Sequence, residues 1–343
     1  MKTARIEWLD VAKGIGILLV VLAHCMDIEG IPFQLIYVFH MPMFFIFSGY
    51  LFKDKQGFNK AFSEKLRSLI VPYCMFFLLG LIVTMVIPVW RNSLTIAGLK
   101  NDLWLADPNS VHNSSIWFLV CMFFVQIIYW GINRMPASIQ LIICFFLYTL
   151  GIIYSQARFP LFGYTRLPLN LDVVPIAIIF FAIGFRMRKY HLIETLMNNF
   201  EKNIIITIGG VIGLGVCYKI NGYVNLHGLS FGNPIIYILS GAFGTAMVLG
   251  LSKMLEYFDC CMCKNIKNIL IFYGQNTLMI LGIQSLLIRL FILFCNFNGA
   301  NLELYHMPIR YTIICSIIVI AICTIACIFW KQLKRKRDFY GKN

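Results

Sequence analysis

The chain predicts an all-α polytopic membrane protein of about ten transmembrane helices, both termini cytoplasmic, and three observations carry that prediction. Of its 343 residues, 59% are hydrophobic and only 13% are charged, more apolar surface than a soluble domain of this size covers. Apolar runs near the ~20 residues that a helix needs to cross a bilayer recur along the whole sequence. The basic residues segregate by side in the manner that orients membrane helices.

The expected spans are 10–28, 35–52, 70–89, 115–133, 137–154, 172–188, 203–221, 234–252, 270–295 and 311–330. The first begins after Glu7 and Asp10. The MKTAR start invites a signal-peptide reading, and LAHC at 22–25 resembles a lipoprotein cleavage site. His24 stands where a small residue would be needed, so the segment reads as an uncleaved span. The second contains FHMPMFFIFSGYLF, in which Pro42 is tolerated in the first turn and Ser48–Gly49 forms a notch for close helix approach. The ninth is long and carries Gly274, Gln275, Asn276, Gln284 and Arg289, so it is expected to be broken or tilted. The tenth ends in WKQLKRKRDFY, a basic stop that anchors to anionic membrane lipid on the inner surface.

With the N-terminus inside, 22 of the 29 basic residues fall on the inner side. They are Lys2, Arg5 and Lys13, then Lys53, Lys55, Lys60, Lys65 and Arg67, then Arg134. Arg186, Arg188, Lys189, Lys202, Lys253, Lys264 and Lys267 follow, and the tail supplies Lys331, Lys334, Arg335, Lys336, Arg337 and Lys342. Six face outward (Arg91, Lys100, Arg158, Arg166, Lys219 and Arg310) and Arg289 lies within a span. The net charge of +14 is therefore mostly topology and does not imply nucleic acid.

The 12 cysteines lie mostly in spans, as small apolar packing residues. Cys260, Cys261 and Cys263 cluster in an inner connection, but no second pair or nearby histidine completes a zinc site, so no metal is expected. No segment outside the spans is long enough to fold alone, and 1–343 reads as one integral-membrane domain. The connections 90–114, with His112, 155–171, with Arg158, Tyr164 and Arg166, and 219–233, with Asn221, Asn225 and His227, could roof a cavity on the outer face.

Chemistry is expected in the first span. Lys13 and His24 are eleven residues apart, which brings them to within about 20° on one helix face and roughly 16 Å apart along its axis. Ionisable side chains in hydrocarbon normally face a protein interior or a wet cavity. A neutral imidazole at that depth can take a proton from a hydroxyl. Asp27, three residues after His24, could orient the ring or could cap the helix end. Lys13 could snorkel and pair with Asp10, or it could meet a phosphorylated cofactor together with Lys65, Arg67 and the nearby lysines. His40 opens the second span in the same outer half as His24 and could share in binding an acceptor.

The ordered set RIEWLDVAKGIGILLVVLAH, FHMPMFFIFSGYLF, KLRSLIVPY, SIWFLVCMFF, LDVVPIAIIFFAIGFRMRK, GNPIIYILSGAFGTAMVLGLSK and FYGQNTLMILGIQSLL resembles the membrane-bound acyltransferase family 3, in particular its fucose 4-O-acetylase-like subgroup. The resemblance covers about 5–290. It implies a ten-helix enzyme of the bacterial cytoplasmic membrane that takes an acetyl group from acetyl-CoA and delivers it to a sugar hydroxyl of a polysaccharide or lipid-linked glycan. The family's pattern of a basic residue, ten others and a histidine falls on Lys13 and His24, making His24 the catalytic candidate and Lys13 a CoA contact. Lysine keeps the charge of the family's usual arginine but loses its bidentate grip on phosphate. The family's second motif, two arginines three apart, is met only by Lys65 and Arg67, and a histidine common in the NTL segment is replaced by Gln284. Tyr73 is a further expected cofactor contact, and Ser48, Trp117, Asn276, Asp27 and His40 are expected on the acceptor path.

A proton-coupled transporter using Lys13, His24, Asp27 and Arg289 is the rival reading. A non-catalytic component of a polysaccharide assembly system is the third.

Overall fold

In the computed structural model, residues 5–53, 57–91, 94–105, 115–157 and 165–340 are described, the side chains of 101–105 and 334–340 excepted. In chain order the helices are α1 (Glu7–Cys25), α2 (Ile31–Leu51), α3 (Phe58–Lys65), α4 (Val71–Val86), α5 (Pro88–Arg91), α6 (Ile96–Leu105), α7 (Trp117–Ile132) and α8 (Ala137–Ala157). They continue as α9 (Val174–Lys189), α10 (Leu192–Leu196), α11 (Phe200–Asn221), α12 (Pro234–Met254), α13 (Cys261–Gln275), α14 (Thr277–Phe297) and α15 (Ile309–Tyr340). A π turn, Leu66–Ile70, joins α3 to α4.

Nine stretches among the described residues are long and apolar enough to cross a membrane, in agreement with the predicted class. The fourth expected span appears as the apolar α7, 16 residues long. The ninth is broken, as its polar residues suggested. At Asn276 the backbone leaves the helix (φ −117°, ψ 17°), dividing α13 from α14.

The chain forms two compact units, Met1–Ile36 with Cys260–Asn343, and Tyr37–Asp259. In the first, α1 is flanked by α13, α14 and α15. Lys267 pairs with Glu7 at 2.9 Å, and Gln284 meets His24 at 3.1 Å. The two contacts lie seventeen residues apart in both segments, so α1 runs parallel to α13 and α14. Glycine makes this approach close. A Cβ on Gly14 would overlap the Leu270 carbonyl, and one on Gly274 would overlap that of Asp10. Such reciprocal small-residue crossings are typical of membrane helices, where packing rather than hydrophobicity holds helices together.

Helix α15 shows the inside-out logic of the bilayer. Thr312, Cys315, Ser316, Val319, Cys323 and Cys327 face inward, while Ile313, Ile317, Ile325 and Ile328 are exposed. Small and weakly polar groups bury, and branched aliphatics meet lipid. Seven of the cysteines are buried as packing residues, but Cys74 is exposed, and apolar surroundings are equally available to it from lipid.

In the second unit α2 packs on α9 through the notch the sequence suggested: a Cβ on Gly49 would overlap the Phe181 carbonyl, and one on Gly184 that of Ile46. Below the notch Phe52, Tyr129, Phe181 and Phe185 form an edge-to-face aromatic cluster. Helix α8 buries Gln140, Cys144, Tyr148 and Ile152 and exposes Ile139, Ile142, Phe146, Leu150 and Ile153, two faces of one 3.6-residue period.

Candidate active site

His24 occupies the last turn of α1. Its Nδ1 lies 3.1 Å from the side-chain amide nitrogen of Gln284, which is wholly buried on α14. The ring also bonds the backbone of Val20, one turn earlier. Tyr305 stands beside it, ring centroids 6.1 Å apart. The imidazole is thus held from its own helix, from α14, and from the connection between α14 and α15.

That connection is itself fastened to the end of α1. The Ile28 N–H donates to the Tyr305 carbonyl at 2.8 Å, and the Thr312 hydroxyl donates to the Cys25 carbonyl at 2.9 Å. Asn296 brackets Leu302 through both backbone groups, at 2.8 and 2.6 Å. Asp27 accepts from the Glu29 N–H and lies 3.4 Å from Nδ1 of His306. Of the two roles expected for Asp27, the structure places it in the turn after the helix; the contact to Nδ1 of His24 comes from Gln284.

At the other end of α1, Lys13 pairs with Asp10 at 2.6 Å and stays partly exposed, as a snorkelling lysine does. Asp10 is nearly buried against the Gly274 crossing. Asn276 turns its side-chain amide back onto the Phe272 carbonyl, closing the end of α13. Its observed contact is structural. Arg289 lies on α14 five residues beyond Gln284.

The remaining candidates belong to the second unit. Lys65 ends α3, and Arg67 is exposed on the π turn, a rare geometry frequent at functional sites. Tyr73 is buried in α4 and stacks on Phe77 with centroids 6.1 Å apart. His40 is buried against Tyr37 at 4.9 Å, and Tyr37 adjoins Tyr223 at 6.0 Å. Trp117 opens α7 with its ring 4.8 Å from that of His227. The Ser48 hydroxyl accepts from Gln126 at 3.2 Å, a helix-to-helix bond. Arg166 donates two hydrogen bonds to Asp172, whose carboxylate is buried and also accepts from the Leu167 N–H. Lys2, Lys55, His112, Arg158 and Tyr164 lie outside the described residues.

Sequence reasoning singles out His24 but not its surroundings: Gln284 enters as a polar residue of the ninth span and as the replacement of a histidine, and Tyr305 and His306 not at all. A contact across 260 residues leaves no local pattern, and a short connection has no periodicity to read.

The Acyltransferase domain family matches residues 6–328 of the chain. The nodulation protein NolL of Sinorhizobium fredii (strain NBRC 101917 / NGR234) is 24% identical over 308 residues, spanning 82% of this chain and 77% of that protein. No solved structure matches. With the family's match running through every helix just described, from the start of α1 into α15, the chain belongs to the acyltransferase family 3 and is an integral-membrane acyltransferase.

Proposed function

We propose that this acyltransferase is a membrane O-acetyltransferase of the fucose 4-O-acetylase-like kind. It takes acetyl from cytoplasmic acetyl-CoA and passes it to a hydroxyl of a cell-surface polysaccharide or glycan precursor, at the bacterial cytoplasmic membrane. The observation that carries the reading is the imidazole of His24, held in the last turn of the apolar helix α1 by a buried amide on the parallel helix α14.

In the direct route, His24 takes the proton of the acceptor hydroxyl as its oxygen attacks the thioester carbonyl. The C–S bond breaks, CoA leaves as thiolate, and the imidazolium returns the proton to sulfur. In the covalent route the imidazole is acetylated first and the acceptor then displaces it. Both need one ring nitrogen with a free lone pair. The Val20 carbonyl and the Gln284 amide together govern which nitrogen that is. With the amide N–H toward Nδ1, the ring proton sits on Nε2. Turned over, its carbonyl oxygen accepts from Nδ1–H and leaves Nε2 as the base. The second arrangement is the reactive one, so Gln284 is a positioning residue that stands where many relatives have histidine.

The basic residues expected on the cytoplasmic side serve the CoA end. Lys13, Lys65, Arg67 and Tyr73 are the residues proposed to contact acetyl-CoA. Acetyl-CoA is a co-substrate in this scheme, and the reaction as written uses no metal.

The test is transfer of labelled acetyl from acetyl-CoA added to inside-out vesicles. His24→Ala abolishes transfer while the protein stays inserted. Gln284→Leu lowers kcat by about 10² or more with an unchanged acetyl-CoA KM, whereas Gln284→His, which still bonds the ring, keeps most activity. Near-normal turnover by His24→Ala removes this mechanism. Solute flux without acetyl transfer supports a carrier instead.

A further inference from the structure

Two membrane helices from opposite ends of the chain meet sulfur to sulfur. Cys25 is the last residue of α1, next to His24, and Cys315 lies in the second turn of α15. Their Sγ atoms are 3.6 Å apart although the residues are 290 positions apart, and both side chains are wholly buried. Among the described residues this is the one thiol–thiol contact between two helices.

One face of α15 is given over to Cys25. The Thr312 hydroxyl donates to its carbonyl at 2.9 Å, and the Ser316 side chain joins Cys315 in bonding its thiol. Positions 312, 315 and 316 share a face by the helix period, so α15 grips α1 at backbone and sulfur alike. Packing asks only for a small apolar group at each position; it does not require two sulfurs to face each other. The pair also closes with little movement. An S–S bond is about 2.05 Å long, so the sulfurs must approach by roughly 1.5 Å, which a small turn of each side chain about its Cα–Cβ bond supplies.

We propose that Cys25 and Cys315 form a disulfide that fastens the His24 helix to α15 at the outer end of the membrane. That end is the outer one by the expected topology, being opposite the basic tail of α15, and thiols there meet the oxidising side, where disulfides form and persist. Neither the acetyl donor nor the acceptor enters. The bond closes a loop of nearly 300 residues, and a cross-link constrains the unfolded chain more as the loop it closes lengthens. It also gives α1 a covalent tie to the C-terminal helices that flank it.

The oxidant is a small-molecule disulfide of the outer side. One cysteine attacks its S–S bond as thiolate and releases the first thiol. The second cysteine then attacks the mixed disulfide and releases the other. The two cysteine protons pass to the departing thiolates, so one disulfide is reduced to two thiols for the one that forms. Exchange takes place as α1 and α15 come together; once the pair is enclosed, burial shields the bond from reductants.

The experiment dissolves membranes of cells producing the full-length protein in SDS with N-ethylmaleimide and no reductant, which caps every free thiol. Reduction and iodoacetamide then mark the thiols that had been bonded. Cys25 and Cys315 carry the second label and the other ten cysteines the first. The unreduced digest contains the two peptides joined, lighter by two hydrogens than their thiol forms together. Cys25→Ala and Cys315→Ala each unfold at a lower SDS fraction than the parent, the double variant falls no further than the more affected single one, and the exposed Cys74→Ala matches the parent. Capping of Cys25 and Cys315 by N-ethylmaleimide in the unreduced parent overturns the proposal, as does a link from either to a different cysteine. The labelling needs no variant to fold and no acetyl transfer, so its result stands apart from the enzymatic reading.

Discussion

Replacing Gly274 by alanine tests the parallel crossing that brings Gln284 to His24. A Cβ there falls 2.7 Å from the Asp10 carbonyl carbon and 3.1 Å from its Cα, and it overlaps the carbonyl oxygen outright. Ordinary contact begins at 3.4 Å. The helices must therefore part by about 0.7 Å at the carbonyl carbon, and by more at the oxygen. Backbone obstructs on both sides, so no rotamer change relieves the clash. Overpacking of this kind costs about 1–3 kcal/mol. Gly14 faces Leu270 in the same way, at 2.8 Å from its carbonyl carbon. Once either alanine has parted the helices the other adds little, and the double variant costs less than the sum. The effect reaches the site: His24 is ten residues beyond Gly14, roughly 15 Å along the helix. Parting the axes stretches the 3.1 Å contact to Gln284 toward the limit of a hydrogen bond. The assay is unfolding of purified protein by SDS titration in mixed micelles, followed by circular dichroism, with acetyl transfer measured in parallel. Gly215→Ala is the control, since a Cβ there meets nothing within 4 Å. It is neutral or stabilising by up to ~1 kcal/mol. A Gly274→Ala protein that unfolds at the parent's SDS fraction refutes the crossing argument.

Asp172→Ala leaves the Arg166 guanidinium facing a buried void and costs about 3–5 kcal/mol, read as loss of folded protein on size-exclusion in detergent. The isosteric Asp172→Asn, which keeps the shape but loses the charge, is milder, and a parental yield of folded Asp172→Ala would mean the pairing is unimportant. Lys13→Ala raises the KM for acetyl-CoA severalfold with little change in kcat, because Lys13 is placed far from His24 along α1; an unchanged KM counts against its part in CoA binding. At the start of α13, hydrogen bonding from Cys263 lowers the Cys260 thiol below its ordinary range, while the same contact raises that of Cys263. The lower group holds more thiolate at neutral pH, so limiting iodoacetamide alkylates Cys260 before Cys263, as peptide mass spectrometry will show.

Hydrophobic run length and the polar interruptions suffice for the helices, the break near Asn276 and the notch at Gly49. All are local, set by bilayer thickness, by the helix period or by a missing Cβ, and each can be read within one segment. His24 is equally legible, because an ionisable residue inside an apolar helix stands out wherever it packs. Partners are another matter. That Gln284 holds His24, that Asp27 turns to His306, and that Tyr305 overlooks the imidazole follow from residues hundreds of positions apart meeting at one helix end. Those meetings depend on the Gly14 and Gly274 crossing, where two backbones come close enough to fix the register. Sequence names the small residues, but only three-dimensional packing decides which carbonyl fills the space they leave.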